Sequence, residues 1–254
     1  MTEKKIKKKI LEWFEEISKI PRCSGNEQQI ANWIEDWARK YGFEVKKDSV
    51  NNIAIKVPAT PGYENSPIVV IQGHLDMVCE KTPDSDHDFT KDPIKLIYEN
   101  GWLTADRTTL GADNGIAVAM ALALASEKDI EHPPLELLFT VDEETGLTGA
   151  RALEPGFIEG KILLNLDSED EGYFTVGCAG GKDTKIDLPV EFCDIADGCQ
   201  PYVLVVGGLK GGHSGIDIND QRGNAIWILS SVLEKLLNTD KAYIADIQGG
   251  SAHN

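Results

Sequence analysis

The sequence predicts an α/β fold, with a mostly parallel sheet covered by helices and a smaller α+β unit following it. Three observations predict it. Continuous apolar runs at 68–72, 135–141 and 161–166 read as strands buried on both faces. Helical segments separate them, so the order is βαβαβ, whose crossovers imply parallel pairing. Near Gly180 and Gly181 the apolar runs become less continuous, which marks a change of unit.

Taken in order, Ile6, Ile10, Trp13, Phe14, Ile17 and Ile20 recur at helical spacing, so residues 4–19 read as an amphipathic helix ended by Pro21. The SGNE segment at 24–27 has the form of a capping box and opens a second helix to about Tyr41, with Gly42 as its stop. Residues 52–57 read as a strand, and 58–67 as a Pro/Gly loop. GADNG at 111–115 opens an Ala/Leu-rich helix running to about 125, and a short helix starts near Thr148. In the second unit, 185–192, 201–207 and 243–247 read as strands and 224–237 as a helix. The division is a first unit at 1–181 and the start of a second at 182–254. The chain stops in what reads as the middle of a loop, and we read it as the N-terminal part of a longer protein.

The 254 residues carry 25 Lys and Arg against 42 Asp and Glu, a formal charge of −17. Such a chain does not attract a phosphate backbone, so nucleic-acid binding is not expected. There is no run of ~18 apolar residues, so no membrane span is expected. The basic start, MTEKKIKKKI, has no apolar segment or cleavage site behind it and reads as a solvated helical turn. The five cysteines, Cys23, Cys79, Cys178, Cys193 and Cys199, form no CxxC pair and read as reduced thiols of a cytoplasmic protein.

Four segments place metal-ligand chemistry at the C-terminal ends of strands, where open α/β sheets build their sites. In GHLD at 73–76, His74 and Asp76 are two apart and point to one side of extended backbone. His74 is a ligand candidate, and Asp76 can take its other N–H and fix the tautomer. Asp113 in GADNG has two oxygens with which to bridge two metals. In DEETG at 142–146, one of Glu143 and Glu144 can ligate while the other serves as a base. Asp167 closes the next strand. Each segment alone reads equally well as surface or structure; the four in this order supply one imidazole, three carboxylates and a further Glu. Oxygen ligands with a minority of His suit a two-metal hydrolytic site, most simply Zn²⁺. Neither a Walker loop nor a dinucleotide fingerprint is present, which sets aside a nucleotide-binding reading.

These segments resemble the cocatalytic zinc peptidases that include carnosinases, aminoacylases and carboxypeptidase G. GHLDMVCEKTPDSDHDFTKDPI, LGADNGIA, HPPLELLFTVDEETGLTGA, LLNLDSED and GLKGGHSG are most like the aminoacyl-histidine dipeptidase branch. The resemblance runs from Pro21 to the final residue. It implies hydrolysis of Xaa-His dipeptides, carnosine-like ones included, with two Zn²⁺ ions for which Co²⁺ or Mn²⁺ can substitute. His74 and Asp167 would hold one metal, Glu144 the other, and Asp113 both. Glu143 would be the general base, and Asp76 would orient His74. The unit at 1–181 would be the catalytic domain, and 182–254 the start of a lid domain inserted into it and incomplete here. From that lid, which would also form a homodimer, His213 in the loop GGHSG would contact the substrate carbonyl oxygen; the other readings are a solvated His and a substitute metal ligand. The family's further His ligand falls beyond the end of this chain. Two alternatives stand beside this: a related metallo-tripeptidase or deacylase, and an inactive fragment or interaction module.

Overall fold

In the computed structural model, α1 (Glu3–Ile17) buries Phe14 and Ile17, and α2 (Gln28–Lys40) buries Ile30, Ala31, Ile34, Trp37 and Ala38. The spacing of three and four in α2 is that of one helical face against a core. The structure describes residues 3–168, 172–178, 180, 184–194, 197–212, 216–239 and 242–250. Gly42 ends α2 with φ +77°: its N–H donates to Arg39 O and that of Phe43 to Ala38 O, closing the helix by a left-handed turn that glycine adopts without a Cβ clash.

The capping box at 24–27 is not realised. Glu27 is the residue before α2 and makes no side-chain cap, while the Ser24 hydroxyl donates to Asp76 Oδ2 at 2.7 Å. A tertiary partner has taken the hydroxyl that the local pattern assigns to the helix.

β1 (Glu44–Lys47) and β2 (Ile53–Val57) form an antiparallel hairpin with Lys47 opposite Ile53. β3 (Val69–His74) follows, then a second hairpin, β4 (Leu96–Glu99) with β5 (Trp102–Ala105), which the sequence reading passed over. α3 (Ala112–Ser126) packs against both β3 and α1. Its backbone is non-helical at Asp113 and Asn114, whose peptide bond is cis, so regular helix begins at Gly115. β6 (Leu135–Thr140) is buried at every residue. Two short helices, α4 (Glu143–Gly146) and α5 (Thr148–Ala152), lead to β7 (Ile162–Asn165).

Among the described residues, five strands make one sheet in the order β1–β2–β6–β3–β7. β3 runs parallel to β6 and β7, and β2 antiparallel to β6. The fold is α/β, with the parallel strands at its centre and an antiparallel hairpin on one side. The core lies where α1, α2 and α3 meet this sheet. One expectation fails: 161–166 is not a strand buried on both faces. Ile162, Leu163 and Leu164 are each nearly half exposed, since among the described residues β7 pairs only with β3.

The chain divides into two compact units, Met1–Gly180 and Gly181–Asn254. In the second, α6 (Ala225–Leu237) forms as the sequence predicts, with Asn224 Oδ1 accepting from Trp227 N at 2.9 Å as its cap. A 3-10 turn spans Ile216–Asp220. The strands expected at 185–192, 201–207 and 243–247 are absent among the described residues. Alternating apolar residues are present there, but a strand needs a hydrogen-bonded neighbour and none is in place.

Candidate metal centre

Because β3, β6 and β7 are parallel, their C-terminal ends lie at one edge of the sheet. His74 ends β3, Glu143 and Glu144 follow β6, and Asp167 follows β7. Asp113 comes from the first turn of α3, which packs on β3. The topology therefore gathers five side chains from four distant segments.

His74 is at the centre and is 1% exposed. Its Nε2 lies 3.2 Å from Asp113 Oδ1, 3.6 Å from Asp167 Oδ1 and 4.0 Å from Glu143 Oε2. Its Nδ1 lies 3.2 Å from Asp76 Oδ1. Burial works against a charged ring, yet Asp113, Asp76 and Asp167 outweigh it and raise its pKa to about 10. Nε2 thus sits where three carboxylates demand positive charge.

The carboxylates in front of the ring crowd one another. Burial, then the charges of Asp113, Glu143 and Asp76, push Glu144 up to about 7. Burial, then Asp113 and Glu143, raise Asp167 to about 6 despite the opposing pull of His74. Asp76 behaves in the opposite way. It is fully buried, and burial alone would raise it, but donors from His74, Glu143 N and Ser24 hold it down at about 2. Its Oδ1 accepts from Glu143 N at 3.0 Å and its Oδ2 from Glu144 N at 3.1 Å, so the group that fixes the ring also fixes the turn carrying both glutamates.

Ligand atoms fall within 4.8 Å of one another in two sets around this ring: His74 with Glu143 and Glu144, and His74 with Asp113 and Asp167. An imidazole shared between two groups of carboxylates is a donor set for divalent cations. A proton on Nε2 offsets one negative charge, whereas a divalent ion offsets two. Of the residues singled out in the sequence, His74, Asp76, Asp113, Glu143, Glu144 and Asp167 come together; His213 lies outside the described residues.

The sequence reading missed several members of the site. Asn114 is buried, its Oδ1 accepts from His74 N at 3.2 Å, and its Nδ2 donates to Asp167 Oδ1 at 2.8 Å and Leu166 O at 2.9 Å. A Cβ on Gly73 would collide with that Oδ1, which is why a glycine precedes His74. Glu27 Oε1 accepts from Gly25 N at 3.0 Å and Asp142 N at 2.9 Å. Asp142 has φ +52°, a left-handed value that Asp tolerates better than most residues, and its carboxylate accepts from Thr145 and Thr148. The signal for these residues was adjacency to the motifs, for Asn114 directly after Asp113 and Asp142 directly before Glu143.

The cysteine reading is corrected. Cys23 and Cys79 form a disulfide, with Cα atoms 5.7 Å apart. Cys23 pairs with Met77 in a parallel bridge, which brings the 22–24 loop alongside the loop after His74. Spacing rules see neighbours in sequence, and these two are 56 residues apart. Cys178, Cys193 and Cys199 are free and exposed.

An α/β sheet thus carries an imidazole–carboxylate cluster, a candidate metal centre, at the C-terminal ends of its parallel strands. The profile described as peptidase family M20/M25/M40 matches residues 70–234, and the chain belongs to that family. It is 44% identical over 241 residues to the cytosol non-specific dipeptidase of Escherichia coli K12, matching 95% of this chain and 50% of that protein. The structure of aminoacylhistidine dipeptidase from Vibrio alginolyticus superposes with a TM-score of 0.67 at 43% identity, over 88% of this chain and 46% of that one. A tripeptidase from Staphylococcus aureus superposes at 0.54 with 25% identity, over 63% of this chain and 43% of that one. The chain thus spans about half the length of these relatives. Among the described residues no helix is long and apolar enough to cross a membrane.

Proposed function

We infer that this chain is the metal-binding half of a dipeptidase that hydrolyses small peptides, Xaa-His dipeptides among them. The observation that supports this most is the convergence of His74, Asp113, Glu143, Glu144 and Asp167 at one sheet edge. Higher identity and better superposition on the aminoacylhistidine dipeptidase than on the tripeptidase favour dipeptides. The unit from 182 onward is read as a lid that contributes His213 to the substrate and forms a homodimer. A cytoplasmic location follows the cytosolic relative, with the Cys23–Cys79 disulfide weighing against it.

In this reading His74 and Asp167 would hold one divalent ion and Glu144 a second, and Asp113 would serve both, with Zn²⁺ as the native ion and Co²⁺ or Mn²⁺ as substitutes. Such a pair, when bound, supplies Lewis acidity that polarises the scissile carbonyl and acidifies water. Glu143 takes the proton of the attacking water on its carboxylate and delivers it to the departing amine as the C–N bond breaks. Asp76 keeps the imidazole in one tautomer with Nε2 directed at Asp113 and Asp167.

The test is Zn²⁺-dependent hydrolysis of β-alanyl-histidine and a dipeptide and tripeptide panel, with metal content measured on the same sample. Glu143→Ala is expected to keep its metal and lose about 10²–10⁴-fold in turnover, the usual contribution of a general base. Full activity in Glu143→Ala would remove that role, and a protein that takes up no metal would remove the centre.

A further inference from the structure

Behind the cluster lies a charge that the proposed reaction does not use. Arg22, in the loop between α1 and α2, is 2% exposed. A guanidinium is costly to bury unless its N–H groups and its charge find partners. Its Nη1 donates to Leu75 O and Asp76 O, both at 3.0 Å, and its Nη2 donates to Gly111 O. Its own carbonyl accepts from Met77 N at 3.1 Å. One side chain therefore ties the loop that follows His74 to the loop that leads into Asp113. Burial lowers its pKa to about 10, against the charges of Asp76, Asp113 and Glu144, so it stays charged at neutral pH.

The neighbouring sequence is fitted to this group. A Cβ on Gly111 would lie 2.5 Å from Nη2, and one on Gly115 would lie 2.6 Å from Nη2 and 3.1 Å from Phe14 Cε2. Both glycines of the GADNG segment leave room for the guanidinium. The motif that supplies Asp113 is thus also the wall of the Arg22 site.

We propose that Arg22 is a positioning residue of the metal centre, whose guanidinium fixes the separation of the His74–Asp76 and Gly111–Asp113 turns. This rests on the metal-centre reading above and deepens it. The shape of the guanidinium matters as well as its charge. Three carbonyls on two loops are held by one planar fork, which a lysine, with a single nitrogen on a flexible stem, cannot reproduce. Arg22 donates to carbonyl oxygens of the loops that carry His74 and Asp113, so it acts through the loops. Loss of the fork lets the two turns move apart and alters how His74 and Asp113 face a shared cation.

The experiment compares the whole chain with Arg22→Met, Arg22→Lys and Gly115→Ala. The readouts are Co²⁺ affinity, the visible absorption of bound Co²⁺, and thermal unfolding. Supporting partners of metal ligands typically contribute 10–100-fold in metal affinity. Arg22→Met is expected to weaken Co²⁺ binding by about that factor and to change the spectrum. Arg22→Lys, which keeps the charge, recovers part of the affinity but not the spectrum. Gly115→Ala crowds the guanidinium from the other side, and its effect with Arg22→Met is expected to be less than additive, as for two changes acting through one group. A folded Arg22→Met that binds Co²⁺ with unchanged affinity and spectrum overturns the proposal. Should Arg22→Met not fold, an unchanged Gly115→Ala overturns it equally. If the unmodified chain binds no Co²⁺, the metal-centre reading itself fails, and this inference falls with it.

Discussion

Two acidic clusters lie at this end of the sheet: Glu27–Asp76–Asp142, with ligand atoms within 4.8 Å of one another, and the carboxylates around His74, which form two such sets with its ring, Glu143–Glu144 and Asp113–Asp167. In the first, the oxygens are engaged by donors. Glu27 accepts two backbone amides, Asp76 accepts two amides, a hydroxyl and the imidazole, and Asp142 accepts two threonine hydroxyls. In the second, burial and mutual repulsion raise Glu144 and Asp167, and three carboxylates face one ring nitrogen. Proximity of carboxylates does not distinguish a brace from a cation site. The backbone amides held by Glu27 and Asp76 mark the first cluster as a brace, since an acceptor already supplied by amides gains little from a metal.

The largest expected effect sets the two clusters against each other. Asp113→Ala should weaken metal binding by about 100-fold or more, beyond what supporting residues contribute. Glu27→Ala should leave metal stoichiometry unchanged and lower stability by about 1–3 kcal/mol, because two amides lose their acceptor. Metal titration and denaturant unfolding of both variants check this. Metal loss in Glu27→Ala with retention in Asp113→Ala would invert the assignment of the two clusters.

Asp76 and the carboxylates in front of the His74 ring should also differ in pH response. Folding raises Glu144 and Asp167 from 4.5 and 3.8 to about 7 and about 6, so stability tied to them is present at low pH and lost as pH rises through that window. His74, raised from 6.5 to about 10, continues the loss at higher pH. Asp76, lowered from 3.8 to about 2, contributes above 3.8 and is lost only as pH falls through about 2. Metal must displace the protons on the first three groups, so its stabilisation should grow by up to about tenfold in affinity per pH unit per proton. Melting temperatures with and without Zn²⁺ from about pH 4.5 to 8 read this. A metal-induced rise that is flat with pH would show that the proposed ligands do not titrate.

The disulfide belongs to the brace side. Cys23 and Cys79 close a long loop around the His74–Asp76 segment, and Cys23→Ser should lower stability by about 2–4 kcal/mol. Metal stoichiometry should stay the same. Denaturant unfolding with and without a dithiol reductant measures it, and equal midpoints would show that the bridge does not contribute.

The division between the clusters also explains what the sequence made legible. The parallel centre of the sheet was readable because β3 and β6 are buried runs, and the ligand side chains because each sits at a strand end or helix start in a short motif. Ser24, Glu27 and Arg22 were not readable as site residues, since their partners lie far off in sequence, whereas Asn114 had only its place directly after Asp113 to point to it. Ser24 and Glu27 even form a pattern with a local meaning, the capping box, which tertiary contacts override. β7 was misjudged because Ile162–Asn165 is as apolar as a central strand, and only the strand order shows that among the described residues it pairs with β3 alone. The second unit's strands were misjudged because alternation records a tendency to pair, not a partner.

Ser24 gives the smallest expected effect and the sharpest separation of local from tertiary meaning. Ser24→Ala removes one donor to a buried carboxylate, which should lower stability by about 1–2 kcal/mol, a size that loss of a helix cap would also produce. Magnitude alone therefore cannot distinguish the two roles, but coupling can. If the hydroxyl serves Asp76, then Ser24→Ala and Asp76→Asn share an interaction, and a double-mutant cycle should return a coupling of about 1 kcal/mol. A cap would act on α2 independently of Asp76 and return none. Metal affinity separates them again. Weakened support of Asp76 passes to His74 Nδ1 and to the Glu143 and Glu144 amides, so a few-fold loss of Zn²⁺ affinity should accompany Ser24→Ala, whereas a frayed first turn of α2 would leave it unchanged.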